Sequence, residues 1–522
     1  MTDFSSLEPF SPAETRLITQ CSNGGRVVFG DGELPETETP DVTVRAALLR
    51  ALLLGKRDSL PEKGLRLRGV WISGTLDLQG AECGLDLSFT ECHLEEPLEL
   101  VNARLRSLYF NESVLAGISA DNAELDGSLY IRAGSTVTGE ISLSGAQIKG
   151  DLQLCDIELQ TKARDAVFAP ALRVGGSVFL GNYPYAGEVT TLVANGSLFL
   201  SSIYVENDLF ITNCSMAPAR EILGDPVFMA TEEHGRDIAL SLARARVGGI
   251  LYFKDNQIAQ GIVNLAGAKV ARLRDELAAP GAYYPIRLDG FTYDDFSRHA
   301  ETSLKARLDW LARRPEDTPF TAQPYEHLAR VLMHIGHRRD ARTVLMEKEK
   351  LQRAENRRLI AEAYGVGGRW ILAWLSDALM RFGVGYGYRP SRVLLLAVAL
   401  IVGLGLFFQA TWNAGDMTPN AAPVLVSHDW IAATESHPEN PGAFWSSAGQ
   451  PGQDWETFNG FAYAADLVIP IVSLGQESTW APSTSRSELG RVGWWLRWFA
   501  KALGWVVTAL GAAAVTGAVR QD

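Results

Sequence analysis

The stretch AELDGSLYIRAGSTVTGEISLSGAQIKGDLQL (residues 123–154) decides the fold of the N-terminal half. It begins and ends with one nine-residue pattern, AELDGSLYI (123–131) and AQIKGDLQL (146–154), in which apolar and polar residues alternate around a central glycine. Alternation is the period of a β-strand with one buried face, and the glycine is typical of a sharp corner. Further copies are VWISGTLDL (70–78), LRVGGSVFL (172–180), LVANGSLFL (192–200) and ARVGGILYF (245–253).

The spacing of these copies indicates how the strands are arranged. Nearest copies lie roughly 20–26 residues apart, which is the length of one coil in a stacked β-solenoid. A β-sandwich is the alternative, but it needs hairpin signals every 8–12 residues, and none recur here. We therefore expect residues 65–275 to form a parallel β-solenoid, resembling a right-handed β-helix, whose inward side chains stack from coil to coil.

The segments that flank the repeats are predicted to be helical. Residues 1–64 are expected to cap the first coil with two helices, because solenoids must protect an open sheet edge. Ser11 followed by Pro12 is typical of a helix start. Asp41 is the predicted cap of a second helix that ends at Gly55.

Residues 276–365 change to a helical period. Apolar residues at helical spacing, interrupted at Gly336, predict an α-hairpin that is tetratricopeptide-like. Residues 366–392 follow as an amphipathic helix and an elbow. Trp370 and Trp374 among charged residues are typical of a helix that lies in a membrane interface.

Residues 393–522 have the composition of a transmembrane module. The run VLLLAVALIVGLGLFFQATWNAG (393–415) has no charge and is long enough to cross the ~30 Å hydrocarbon core of a bilayer. Four arginines precede it from Arg369 onward, so the positive-inside rule places the N-terminal half in the cytoplasm and the acidic loop 412–460 outside. A second span is predicted from Ala502 to Val519.

The apolar segment FAYAADLVIPIVSLG (461–475) leaves two topologies open. Its short length and Pro470 favour re-entry from one side of the membrane. The cations Arg486, Arg491, Arg497 and Lys501 favour a full crossing, because it would place them in the cytoplasm. Asp466 lies within this segment. An intramembrane carboxylate indicates an ion or proton path, while a carboxylate at the headgroup boundary would simply be hydrated.

Composition limits the classes of partner. A net charge of −13 argues against nucleic acid, because phosphate binding needs concentrated Lys and Arg. The N-terminus MTDFSSLEPFSPAETRL lacks the charged and apolar parts of a signal peptide, which favours a cytoplasmic N-terminal half. The five cysteines have no metal-like spacing and are expected to be small buried fillers.

No motif predicts a catalytic, cofactor or metal site. The string VGYG (384–387) matches a potassium-channel filter, but it lacks the two flanking spans that a filter needs. His327, His334 and His337 have the helical spacing of zinc ligands. Gly336 breaks the helix between His334 and His337, however, so His337 is more typical of a hydrogen-bonding residue at a helix end. Several solenoid carboxylates alternate outward and are expected to form a solvated face: Asp77, Asp86, Glu99, Asp126 and Asp151.

Several stretches together are familiar: TVRAALLRALLLG (43–55), LRLRGVWISGTLDLQGA (65–81), RLDGFTYDDF (287–296), LDWLARRP (308–315), QPYEHLARVLMHIGHRRDARTVLMEKE (323–349), GVGYGYRP (383–390), LGQESTW (474–480) and GWVVTALGAAAVTGAVRQD (504–522). With them the chain resembles a broad group of bacterial membrane proteins with pentapeptide-like solenoid repeats, such as ARLRS (103–107) and AELDG (123–127). Some of that group are labelled membrane-associated oxidoreductase. The resemblance implies membership of this group and brings no site residues with it.

Two hypotheses about function follow. The first is a multi-pass inner-membrane protein, in which a cytoplasmic solenoid acts as a scaffold or sensor and is coupled to a small oligomeric membrane module; only several copies together could enclose a pore. Its expected partners are the lipid bilayer, further copies of the chain and a cytoplasmic protein on the solenoid. The alternative, implied by the resemblance, is a membrane-bound oxidoreductase.

Overall fold

The computed structural model describes residues 7–55, 60–161, 165–218, 238–277, 283–316, 318–381, 385–386 and 391–516. The chain divides into two compact units, Met1–Val344 and Leu345–Asp522. The first unit is dominated by parallel strands, and the second is helical.

The described helices occur at the start of the chain and after the strand-rich region. They are α1 Pro12–Gln20, α2 Ala46–Leu54, α3 Leu304–Leu311, α4 Gln323–His334, α5 Arg338–Tyr364, α6 Gly368–Leu379, α7 Ser391–Asn413, α8 Ala422–Leu425, α9 His428–Ser436, α10 Pro441–Trp445, α11 Gly460–Val468, α12 Gln476–Thr479 and α13 Glu488–Thr516, with one 3₁₀ turn, Cys21–Asn23.

The strands of the first unit are mostly short and follow one another closely. They are β1 Val27–Val28, β2 Thr43–Arg45, β3 Leu65–Arg68, β4 Trp71–Ser73, β5 Glu82–Thr90, β6 His93–Leu94, β7 Leu98–Glu99, β8 Arg104–Asn111, β9 Val114–Leu115, β10 Ile118–Ser119, β11 Glu124–Leu125, β12 Leu129–Val137, β13 Ile141–Ser142, β14 Gln147–Ile148, β15 Leu152–Leu159, β16 Asp165–Phe168, β17 Arg173–Val174, β18 Val178–Gly181, β19 Leu192–Ala194, β20 Ser197–Phe199, β21 Tyr204–Val205, β22 Leu209–Thr212, β23 Cys214–Met216, β24 Ile238–Ser241, β25 Arg246–Lys254, β26 Gln257–Ile258, β27 Ile262–Asn264, β28 Lys269–Asp275, β29 Ile286–Arg287 and β30 Thr292–Phe296. The second unit adds β31 Met417–Pro419 and β32 Trp480–Pro482.

The first unit is a parallel, solenoid-like sheet structure, as the repeats predict. Its described strands form one sheet of 22 strands and one of eight, and all their pairings are parallel. The register pairs Leu108 with Leu129 and Leu129 with Leu152, so one buried side chain per coil stacks on its equivalents in the next coils. Parallel pairing between successive repeats excludes the antiparallel sandwich for this unit.

At Gly127 and Gly150, the central glycines of two repeats, neighbouring coils approach closely. A Cβ added at Gly127 would lie 2.1 Å from the Ser107 hydroxyl, and one at Gly150 would lie 2.3 Å from the Ser128 hydroxyl. Only glycine leaves room for the preceding coil there. Left-handed backbone occurs at the central Gly74 (φ 76°) and also elsewhere in the coil, for example at Asn102 (φ 56°) and Asn122 (φ 55°), where asparagine tolerates that conformation.

All five cysteines are buried, as expected for fillers. Cys92 shows the role in detail. Its amide donates to Ser113 Oγ at 3.1 Å, and the amide of Ser113 donates to Ser135 Oγ at 3.1 Å, so a thiol and two hydroxyls occupy equivalent corners of successive coils. Burial raises the pKa of the Cys92 thiol to about 12, which keeps it protonated and unreactive at neutral pH.

Parallel pairing extends beyond the 65–275 range that the repeats predict. β1 and β2 pair with β3 and β4, and β30 pairs with β28. α1 begins as predicted, with a reciprocal capping box between Ser11 and Glu14. The predicted cap at Asp41 is wrong: α2 begins at Ala46, because Thr43–Arg45 are recruited as a strand beside Trp71–Ser73.

In the second unit, one described helix is long and apolar enough to cross a membrane, α7 (Ser391–Asn413). The predicted second span, Ala502–Val519, overlaps the C-terminal half of α13 and ends outside the described residues. The predicted loop 412–460 contains β31 and the short helices α8, α9 and α10. α6 lies within the predicted amphipathic segment 366–392.

Candidate functional site

The apolar segment around Asp466 forms a short helix that stops early. Asn459 caps α11 by accepting hydrogen bonds from the amides of Phe461 and Ala462, both at 3.0 Å. The helix ends at Val468, two residues before Pro470, which has no amide to continue it. At ~1.5 Å per residue its nine residues extend roughly 13 Å, so α11 is far shorter than α7.

Asp466 is buried and holds the turn that follows α11. One carboxylate oxygen accepts the amide of Leu474, and the other accepts the amide of Glu477 at 3.0 Å. Hydrogen bonds from amides to an ionised carboxylate are among the stronger ones in proteins. Asp466 therefore stabilises the turn in which residues 469–477 fold back over the end of α11. The ion-path interpretation of Asp466 stays a prediction.

Glu477 extends this cluster to α13. Its carboxylate accepts from Arg497 at 2.9 Å and from Lys501 at 2.9 and 3.0 Å. Together with Asp466, the cluster contains two carboxylates and two cations, so its formal charges cancel. The sequence places Arg497 and Lys501 one helical turn apart on one helix face, but nothing in it indicated that Glu477 would be their common partner.

The residues that follow the turn after α11 lie beside the residues that precede α11. Gln476 accepts the amide of Asn459 at 3.0 Å and donates to the Thr457 carbonyl at 2.9 Å. The Trp480 indole then donates to the Glu456 carbonyl at 2.8 Å. β32 pairs antiparallel with β31, which directly follows α7. Both ends of the α11 segment are therefore anchored near the C-terminal end of α7.

The string that matches a channel filter lies only partly in the described chain, since Val384 and Gly387 are outside it. Tyr386 is described and buried. Its hydroxyl donates to Asp377 of α6 at 2.8 Å, and Arg357 of α5 donates to the same carboxylate. Tyr386 thus packs beside α6, at a carboxylate that Arg357 of α5 also contacts.

The histidines do not come together. His327 is buried in α4, while His334 ends α4 and His337 pairs with Asp340 at 3.4 Å beyond Gly336 (φ 90°). Among the described residues, no group of three or more His, Cys, Asp or Glu side chains is placed to hold a metal ion.

We expect His327 to make the first unit less stable in mild acid. The Tyr293 backbone lies 2.9 Å from His327 Nε2, and burial lowers the pKa of the imidazole by more than the hydrogen bond with that backbone raises it. Protonation therefore favours the unfolded chain: stability is complete above the unfolded pKa of about 6.5 and falls below it by up to ~1.4 kcal/mol per pH unit. Urea unfolding at pH 7.5 and 5.5, with His327→Gln as the non-titrating control, tests this; equal pH dependence in both proteins would contradict it.

Three of the five outward solenoid carboxylates have partners in the next coil. Asp126 pairs with Lys149 of the next coil, Asp86 lies 3.5 Å from Arg106, and Asp151 accepts the amide of Ser177 at 2.8 Å. Asp77 and Glu99 occupy neighbouring coils, joined by a parallel bridge. The contacts of Asp126, Asp86 and Asp151 join successive coils.

Comparison of the chain with protein-family models, with curated proteins and with solved structures finds no match.

Proposed function

We propose that the protein is an integral, multi-pass inner-membrane protein that presents its solenoid as a cytoplasmic interaction platform, and that the helical second unit is the membrane module. In this proposal α7 and α13 span the bilayer, and α11 with its turn re-enters from the outer side. The solenoid coils are taken as right-handed, the usual hand of parallel crossovers.

The chemistry of the exposed side chains of the second unit carries the proposal. A water-facing helix exposes charged and polar residues, whereas α7 and α13 expose large apolar and aromatic ones. They are Leu394, Leu395, Val398, Val402 and Leu406 on α7, and Val492, Trp495, Trp498, Phe499 and Trp505 on α13. An apolar surface of this kind matches a lipid environment, and tryptophans concentrate at its boundaries.

The strand pair β31–β32 supports re-entry. Thr418 pairs with Ala481, and the Arg486 guanidinium donates to the Gly415 carbonyl at 2.6 Å. A full crossing by residues 461–475 would separate these partners by the ~30 Å hydrocarbon core. The positive-inside count favours the crossing, but Arg486 is engaged with Gly415, and Arg497 and Lys501 are engaged with Glu477.

Thiol labelling of spheroplasts tests the proposal. Ser447→Cys, Thr484→Cys and Glu188→Cys place thiols at exposed positions in the loop, after β32 and in the solenoid. We expect a membrane-impermeant maleimide to label the first two from outside, and Glu188→Cys only after permeabilisation. The unmodified chain is the blank, since its own cysteines are buried.

The outcomes separate the alternatives. Labelling of Ser447→Cys without Thr484→Cys would replace re-entry by a third crossing. Labelling of Glu188→Cys in sealed spheroplasts would mean that the solenoid lies on the outer side of the membrane. Release of the chain from the membranes by an alkaline carbonate wash would reject the proposal that the second unit is a membrane module.

A further inference from the structure

The helix α6 presents its apolar side outward. Ile371 and Leu375 are each 50% exposed, Leu372 is 67% exposed and Trp374 49%. At 3.6 residues per turn, these four side chains cover roughly 160° of the helix circumference. A helix on the surface of a water-soluble unit turns such a face towards the core. The apolar face of α6, formed by these four residues, is instead left uncovered by the described chain.

The opposite side of α6 carries a charge that is directed inward. Asp377 is only 8% exposed. Its carboxylate accepts a hydrogen bond from the Tyr386 hydroxyl at 2.8 Å and another from Arg357 of α5, and Arg353 Nε lies 4.0 Å away. These contacts fix the rotation of α6 about its own axis, so the apolar face points away from α5.

Met380, the residue after α6, locates the end of this helix in the second unit. It packs against the cluster formed by Val393, Val507 and Leu510. Val393 lies in the first turn of α7, and Leu510 lies near the C-terminal end of α13. In the membrane placement proposed above, this is the cytoplasmic end of both spans. The end of α6 therefore lies where hydrocarbon meets the cytoplasmic headgroups, the depth at which amphipathic helices with tryptophan settle.

Positive charge is concentrated around α6. Residues 353–392 contain seven arginines and three acidic residues, which gives a net charge of +4 in a chain whose net charge is −13. Residues 393–485, which include the predicted outer loop, contain no Lys or Arg at all. The charge of the second unit is thus unequal at the two ends of α7, and its positive end is the one that carries α6.

Two of these arginines stand at the ends of α6 and are not neutralised by a carboxylate. Arg369, in the first turn of α6, lies 4.6 Å from the centroid of the Tyr364 ring. Arg392, beyond the end of α6, donates to the Arg381 carbonyl at 3.3 Å. Neither Arg369 nor Arg392 forms an ion pair with an acidic residue of the described chain. Guanidinium groups beside an apolar face match the phosphates and acyl chains of a lipid.

We propose that α6 binds anionic phospholipids of the cytoplasmic leaflet: its apolar face enters the acyl-chain boundary, and Arg369 and Arg392 contact lipid phosphates at its two ends. The inference rests on the membrane placement proposed above. Charge selects this occupant, because a surface of net charge +4 attracts an anionic leaflet. A second copy of the chain would bring the same positive charge against itself, which is unfavourable.

Reconstitution of the full chain tests the lipid. Leu372→Cys is labelled with a nitrobenzoxadiazole dye, whose emission moves to the blue in an apolar environment; the chain's own cysteines are buried. The labelled chain is placed in nanodiscs of phosphatidylcholine with increasing phosphatidylglycerol. We expect a blue shift as phosphatidylglycerol is added, and its reversal at high salt, because salt screens the attraction between exposed charges.

Two arginine variants of the labelled chain locate the lipid contact. Arg369→Gln should need roughly fivefold more phosphatidylglycerol for the half-maximal shift, the contribution of one arginine near an anionic surface. Arg358→Gln is the matched control. It makes the same change at a nearby exposed arginine that already pairs with Glu355 and Glu362, at 2.7 and 3.6 Å, and it should leave the half-maximal point unchanged.

Each other outcome overturns the inference. A blue emission in pure phosphatidylcholine that phosphatidylglycerol does not change means that the apolar face alone holds α6. An unshifted emission at every composition means that α6 does not lie on the bilayer, and a shift confined to nanodiscs with two chains means that a second copy covers it. Equal effects of Arg369→Gln and Arg358→Gln mean that Arg369 makes no particular contact. Each of these results, from a chain retained in carbonate-washed membranes, rejects the lipid site alone, whereas loss of the chain from those membranes rejects the proposed function.

Discussion

Replacing Arg307 with alanine is expected to lower the stability of the C-terminal end of the solenoid by about 3–5 kcal/mol, the usual cost of removing one partner from a buried ion pair. Arg307 on α3 is fully buried. It donates two hydrogen bonds to the Asp275 carboxylate at 2.6 and 2.8 Å and one to the Glu301 carbonyl at 2.6 Å. Its guanidinium also lies 4.3 Å from the centroid of the Phe296 ring.

The position of Asp275 in the coil explains why the loss should be large. The inward column that contains Phe110, Ile131 and Leu154 continues through Ile211 and Phe253 and ends at Asp275. A carboxylate thus faces the interior at the last position of an apolar column. Without Arg307 it would be left buried and unpaired, and the last strands, β28 and β30, would open more readily.

Amide hydrogen exchange of β28 and β30 in the full chain is the measurement. Because each factor of ten equals about 1.4 kcal/mol, protection in Arg307→Ala should fall by roughly two to four orders of magnitude. Arg104→Ala is the control, since Arg104 pairs with Glu82 and Glu124 at an exposed site where such pairs contribute about 0–1 kcal/mol. The double variant Arg307→Met/Asp275→Leu should recover much of the loss. Unchanged protection in Arg307→Ala would contradict the burial argument.

The solenoid could be predicted because its signal is local and repeated. Each copy alternates apolar and polar residues over a few positions, and the spacing of the copies gives the coil length. A wrong interpretation of one copy therefore does not change the prediction made from the others. The reason for the glycines was less accessible. Gly127 is needed because Ser107 of the preceding coil is 2.1 Å from where its Cβ would lie, and that contact depends on the register between coils.

Contacts between residues that are distant in the sequence could not be predicted from it. Nothing in the sequence distinguishes Asp275 and Arg307 from other charged residues. They form a pair because Asp275 faces inward at the end of the apolar column, where Arg307 contacts it. Asp466 stood out because it interrupts an apolar segment, yet its amide partners and the link from Glu477 to α13 depend on how the turn folds back. The sequence thus indicated where a polar site would be, and not what it would hold together.

In the second unit, Gly504→Ala is expected to destabilise the packing of α11 against α13 by ~1–3 kcal/mol, the usual cost of overpacking. A Cβ at Gly504 would lie 2.3 Å from the Leu467 carbonyl oxygen and 2.8 Å from that of Val468. These are backbone atoms at the end of a helix, so they cannot move aside as a side chain could. Small residues at such positions let helices approach closely.

Gly511→Ala is a matched control, because it makes the same change on the same helix two turns later. Its Cβ would meet Val393 at 3.5 Å, an ordinary contact, and alanine is a better helix former than glycine by up to ~1 kcal/mol. Thermal unfolding in mild detergent, followed by tryptophan fluorescence, should therefore show a lower midpoint for Gly504→Ala and an equal or higher one for Gly511→Ala. A Gly504→Ala midpoint equal to that of Gly511→Ala would mean that α11 is not held against α13 at this point, and the turn beyond it would lose its support.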